Sequence, residues 1–172
     1  RDVAAITKVT FSVAKGEVSH EAWHHLDPET LVWFGLDAPA FDDAVAMDLG
    51  CGPRGVLAGF RHGNKIFVDS LLHEYRKLGL VQPETGAGYV TGEGERLPFK
   101  NASVNLVLCT NALDHMQRPV QVVEDIHRVL KPGGRLFVQV FYFERLLLGP
   151  GSGHPFDFTY RDVKQLLKGF RT

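Results

Sequence analysis

The residues Asp48-Leu49-Gly50-Cys51-Gly52-Pro53-Arg54-Gly55 form the stretch of the chain best suited to ligand chemistry. Their glycines stand at G-x-G-x-x-G spacing. Gly50 and Gly52 permit tight backbone geometry and close approach of a ligand, and Gly55 permits close packing of the next helix on the strand. Asp69 comes next, at the end of a second apolar run. A carboxylate there accepts hydrogen bonds from both hydroxyls of a ribose. Loop and acid together read as a site for an adenosine-containing cofactor. Asp48, two residues before Gly50, would repel a pyrophosphate and suits a ligand bearing an ammonium or sulfonium cation. Glu93, after a third run, can accept a hydrogen bond from an adenine amino group.

Histidines supply the other candidates. His20-Glu21-Ala22-Trp23-His24 spells H-E-x-x-H, which on a helix places two imidazoles on one face for zinc. Pro28 stops that helix almost at once, and Asp27 stands where the extended pattern has glycine. No metal is therefore expected. His20, His24 and His25 instead read as part of a cap, able to line a substrate pocket if the cap folds over the sheet edge. Asp114-His115 comes after a fourth apolar run. His115 is a candidate general base on a substrate hydroxyl, because imidazole titrates near neutrality. The competing role is a helix-start residue that orders the loop. His154, within the loop around Gly149-Pro150-Gly151-Ser152-Gly153, belongs on the same side, where loops often gate access. Cys51 and Cys109 should end adjacent strands as two free thiols.

Five apolar runs must position these groups: residues 44–49, 65–69, 88–91, 104–109 and 135–141. Helices are expected over 55–61, 70–78 and 120–130. In the last of these Val120, Val123, Ile126 or His127, and Leu130 fall near one face. Lys131 suits its negative end, and Pro132-Gly133-Gly134 stops it. Thr159 with Asp162 makes a capping box for a final helix ending near Gly169. Residues 1–36 are less patterned and carry the cluster Leu31, Val32, Trp33 and Phe34. They read as a helical N-terminal cap on one domain, with 37–172 as its cofactor-binding body. Alternation of strands and helices predicts an α/β fold, a Rossmann-like doubly wound, mostly parallel sheet. Ligands then sit at the carboxyl ends of the strands, at the switch point.

Composition narrows the partners. The chain has 172 residues, 44% of them hydrophobic, which suits one ordinary core. Nineteen basic residues stand against 20 acidic ones, for a net charge of -1. A protein gripping many phosphates shows a basic excess, so no nucleic-acid partner is expected. No apolar run reaches the roughly 18 residues that span a bilayer, so no membrane role is expected. Two cysteines fit a reducing cytoplasm.

Five segments in order resemble one family: MDLGCGPRG (47–55), the acid Asp69, GEGERLPF (92–99), NLVLCTNALDHM (105–116) and RVLKPGGRLFV (128–138). That family is the class I S-adenosylmethionine-dependent methyltransferases, in particular the small-molecule branch with the ubiquinone and menaquinone methylases. The resemblance implies that Asp48, Gly50 and Gly52 surround the methionine part of the cofactor. It implies Asp69 at the ribose, Glu93 and the Gly94 backbone at the adenine, Asn111 near the methionine moiety and the substrate mouth, and Cys51 and Ser70 as further cofactor-binding residues. Family members usually carry Asp where Glu93 and Asn105 stand, and a small residue where Arg54 stands. Arg54 is therefore expected to point away from the cofactor, and Asn105 to be structural.

The implied reaction is methyl transfer to a small-molecule acceptor, with O, N or C as nucleophile. Neither N/D-P-P-Y/F nor Pro-Cys comes after the fourth strand, which argues against nucleobase methylation. Phe141, Tyr142, Phe143, Phe156, Phe158 and Tyr160 suggest packing for most and an apolar pocket for one or two, suited to an aromatic or isoprenoid acceptor. Two other readings stand beside this one: a non-catalytic binding or scaffold module, and a nicotinamide oxidoreductase, which Asp48 disfavours. The family sheet runs 3-2-1-4-5-7-6. Its last two strands would begin about where this chain stops, at Gly169-Phe170-Arg171-Thr172. A missing C-terminal hairpin, or a homodimer covering the edge of the fifth strand, is therefore expected.

Overall fold

The computed structural model describes residues 5–9, 41–140, 156 and 158–170. In chain order the elements are β1 (Ala5–Val9), β2 (Val45–Leu49), β3 (Asn64–Asp69), α1 (Leu72–Lys77), β4 (Gly88–Thr91), β5 (Val104–Thr110), α2 (Pro119–Val129), β6 (Leu130–Gln139) and α3 (Tyr160–Leu166). The strands form one sheet in the order β1-β6-β5-β2-β3-β4, and every pairing is parallel. From β4 inward to β6 this is the expected 3-2-1-4-5 arrangement. The order reverses between β2 and β5, so a crevice opens at their carboxyl ends.

Both faces of the sheet are covered, as parallel sheets require. Met47, Leu49, Val107, Cys109, Leu136 and Val138 pack on one face with Val122, Val123, Ile126 and Val129 of α2 and Val163 of α3. Ala46, Leu106, Leu108, Phe67 and Phe137 face the other way, against Phe41, Leu57 and Phe60. Alternate residues of β2, β5 and β6 thus enter different cores.

Helix α2 begins with Pro119, whose missing N–H would be unsatisfied there anyway. Its buried face is Pro119, Val122, Val123, Ile126 and Val129. Val120 is exposed, which shifts the apolar stripe from the one expected. Arg128 ties the helix to the segment before β5. Its guanidinium donates to Asp125 (2.6 and 2.9 Å), to the carbonyls of Leu97 (2.9 Å) and Phe99 (2.8 Å), and to Asn101 (3.0 Å). Asn105 Oδ1 accepts from the Val45 N–H and from Lys131 Nζ, both at 3.0 Å. That bridge is the structural role expected of it. The Thr159–Asp162 capping box opens α3.

Three expectations change. Residues 55–61 form only a short 3-10 turn at Val56–Gly59, because Gly55 precedes it with a φ of 66° and Phe60 is already extended. Strand β6 starts at Leu130, directly after α2. It pairs Leu130 with Val104 and Arg135 with Leu106, so Lys131 to Gly134 bulge out opposite the single residue Asn105. The third change is at the N-terminus. Residues 5–9 are a strand, not part of a helical cap, and they pair in parallel with β6 from Ala5↔Arg135 to Val9↔Val138. The edge expected to need a C-terminal hairpin or a homodimer is occupied by the chain's own start. The other cap residues, with His20, His24 and His25, lie outside the described residues, as does His154. No helix among the described residues is long and apolar enough to cross a membrane.

Candidate functional site

A cavity of about 1070 Å³ opens at the carboxyl ends of β2 to β6. Its floor is the glycine loop. The N–H groups of Gly50 and Cys51 donate to the Val68 carbonyl (2.8 and 3.2 Å), which holds the loop against β3. Gly50 has a φ of 73°, and a Cβ there would lie 2.3 Å from the Ala112 methyl. No other residue fits that approach. Gly55 has a φ of 66°, and a Cβ there would lie 2.5 Å from the Phe67 ring. It performs the close packing expected of the third glycine. A Cβ on Gly52 would meet nothing within 4 Å, so the loop presents open space there.

Asp69 is braced at the cavity wall. One carboxylate oxygen accepts from the Gly52 N–H (2.9 Å) and the other from the Leu71 N–H (2.8 Å). Each oxygen keeps a second acceptor site for a ligand. Ser70, Glu93 and Gly94 line the same cavity. Gly94 is buried, and a Cβ there would come within 2.7 Å of Met116 Sδ. Asn111 holds a left-handed φ of 48°, rare for a residue with a side chain. Its N–H donates to the Gln139 carbonyl (2.8 Å), and its Oδ1 is buried without a partner among the described residues. His115 stands exposed on the wall, one residue after the buried Asp114.

Asp48 is not on that wall. It has no exposed surface, and its Oδ2 accepts from the Leu57 N–H at 3.0 Å. The period of the strand explains the departure. Asp48 shares its face with Ala46, so it enters the core beside Leu57 instead of the crevice. Burial pushes its carboxyl up to about 6, against opposing hydrogen bonds from the Leu57 and Val56 backbone. Arg54 departs too: expected to point away, it is part of the cavity wall. Cys51 lines the cavity and Cys109 is buried; both are free, and burial raises both thiols.

Thr110, Tyr75, Met116, Arg118 and Gln139 also line the cavity. Thr110 and Gln139 carried a usable signal, since Thr110 directly follows the run 104–109 and Gln139 lies late in the run 135–141, and the ends of both were expected at the crevice. Tyr75 and Met116 carried none, because turns of α1 and of the segment after β5 bring them in. Phe158 is buried in the main core and Phe156 packs beside it, with ring centroids 6.1 Å apart, while Tyr160 is half exposed.

The same glycine spacing serves dinucleotide enzymes, so the loop alone leaves the family open. Residues 47–138, which run from the loop through β6, match the family model of the methyltransferase domain. The chain belongs to the methyltransferase domain family. Among related methyltransferases, an uncharacterized one from Mycolicibacterium vanbaalenii is 28% identical over 131 residues, 75% of this chain and 50% of its own length. Another, from Mycobacterium leprae, is 33% identical over 119 residues, 67% of this chain and 42% of its own. The chain thus spans about half the length of the relatives it matches. A solved methyltransferase from Aquifex aeolicus shares the fold, with a TM-score of 0.58 at 18% identity, covering 87% of this chain and 81% of its own. In this methyltransferase domain the matched segment contains every residue that lines the cavity except Gln139, which comes directly after it.

Proposed function

We propose that this domain binds S-adenosylmethionine in the cavity and transfers its methyl group to a small-molecule acceptor. The observation that carries this reading is Asp69, braced by the Gly52 and Leu71 N–H groups at a wall where Gly52 leaves open space. A carboxylate held this way fits a ribose. The Asn111 Oδ1, buried and without a partner among the described residues, fits an ammonium or amide donor. Glu93, exposed on the wall after β4, fits an adenine amino group.

When bound, the cofactor supplies a methyl group already activated by its sulfonium. The protein then has mainly to hold acceptor and methyl in line and to keep water out. Asp69 and Glu93 orient the adenosine half. The glycine loop sets the depth at which the methionine half lies. His115 takes the proton from a hydroxyl acceptor and is dispensable for a nitrogen or carbon nucleophile.

Calorimetry with S-adenosylhomocysteine tests the reading. Intact protein should bind it, and Asp69→Ala should weaken binding about 100-fold, from the loss of charge-assisted hydrogen bonds. No binding by intact protein overturns the assignment. Binding without turnover on any small acceptor favours a non-catalytic binding module instead.

A further inference from the structure

Two guanidinium groups on the cavity wall have no role in holding the fold. Arg54 lies in the glycine loop that leaves β2, and Arg118 lies just before α2, in the segment that leaves β5. Both are exposed, and neither side chain has an ion pair or hydrogen bond among the described residues. β2 and β5 are neighbours at the switch point, and the two residues line the same cavity.

Charge on the wall is divided along the sheet. Asp69 and Glu93 come after β3 and β4 and are taken by the adenosine half. Glu95, also lining the cavity, is buried and accepts from the Arg118 backbone N–H at 3.0 Å. That bond occupies one of its carboxylate oxygens and turns it toward the start of α2. The β2–β5 side carries the Arg54 and Arg118 guanidiniums. An acceptor bearing an ammonium would be repelled there. A carboxylate or phosphate matches the planar fork of a guanidinium, which binds paired oxygens bidentately.

We infer that the methyl acceptor carries a carboxylate or phosphate and that Arg54 and Arg118 bind that group. This rests on the cofactor reading above and adds the substrate class to it. It adds an anionic group to the aromatic or isoprenoid acceptor expected from the late aromatic residues. The anchored anion turns the acceptor's nucleophile toward the methyl group, so the guanidiniums choose the substrate and align it. The cofactor's own carboxylate offers the same chemistry from a second source. The affinity of the double variant for S-adenosylhomocysteine tells the two sources apart.

The test uses benzoate and its neutral counterpart benzamide, titrated into protein saturated with S-adenosylhomocysteine. The proteins are wild type, R54Q, R118Q and the double variant, each checked for fold by circular dichroism. Wild type should bind benzoate at least about tenfold more tightly than benzamide, the effect of one lost charged contact. The double variant should lose that preference while its affinity for S-adenosylhomocysteine changes less than about threefold. Equal binding of the two probes, or no binding of benzoate, overturns the inference and leaves the cofactor reading intact. So does an about tenfold fall in S-adenosylhomocysteine affinity in the double variant, which would assign the guanidiniums to the cofactor. Wild type that fails to bind S-adenosylhomocysteine overturns the cofactor reading itself.

Discussion

A carboxylate without exposed surface sits under the glycine loop and gives the domain a measurable pH dependence. Asp48 titrates at about 6 in the fold, against 3.8 unperturbed, because burial disfavours its charge. The folded state therefore holds this proton more tightly than the unfolded chain. Its contribution to stability is greatest below the unperturbed value and is lost as pH rises through about 6. The shift corresponds to roughly 3 kcal/mol. Denaturant titrations of wild type and Asp48→Asn at pH 4.5 and pH 8, taken as about the two ends of this window, should show it. The difference between the two proteins should shift in favour of Asn at the higher pH; an unchanged difference would refute the assignment. Gly50 sets a second test at this scale. Gly50→Ala places a methyl on the Ala112 side chain at a φ of 73° and should lower stability by about 3 kcal/mol. An unfolding midpoint equal to wild type would show that the loop relaxes freely.

Between elements, the main polar clasp is Arg128 on α2. Asp125 lies below the usual carboxylate range, chiefly because the Arg128 side chain donates to it. The same guanidinium satisfies the Leu97 and Phe99 carbonyls. Arg128→Ala should therefore cost about 2–3 kcal/mol, and Arg128→Lys should recover little, since one ammonium cannot reproduce a planar fork. Thermal melts check the ranking. The clasp holds the segment just past Glu93 and Gly94, so Arg128→Ala should also weaken S-adenosylhomocysteine binding more than its distance from the cavity suggests.

For the whole molecule, the decisive feature is the pairing of β1 with β6. An uncovered parallel edge invites pairing with another chain. Removing residues 1–9 should cause concentration-dependent association, read by light scattering, while the intact chain scatters less at equal concentration. Equal behaviour of both would mean that β1 is not what protects the edge.

Much of this organisation is legible in the residues, because it is local. Apolar runs define β2, β3 and β5, with glycine next to the first two, and the glycine spacing with Asp69 marks the cavity. Thr159 and Asp162 cap α3 by contacts three residues apart. The illegible part depends on facing. Whether Asp48 meets a ligand or the core depends on which side of β2 it takes, and that is set by the register of five strands. Arg54 and Arg118 stand 64 positions apart, and only the adjacency of β2 and β5 brings them to one cavity. The N-terminal strand carried no periodic signal of its own, since a short edge strand is defined by its partner. The sequence alone determined the alternation of strands and helices and the glycine loop, through chemistry close along the chain, and its five motifs in order pointed to the family and, by that resemblance, to the order of the central strands. Tertiary structure decided which carboxylate is buried, which arginines share the crevice and what covers the last edge, because each is set by pairing between segments far apart in the chain.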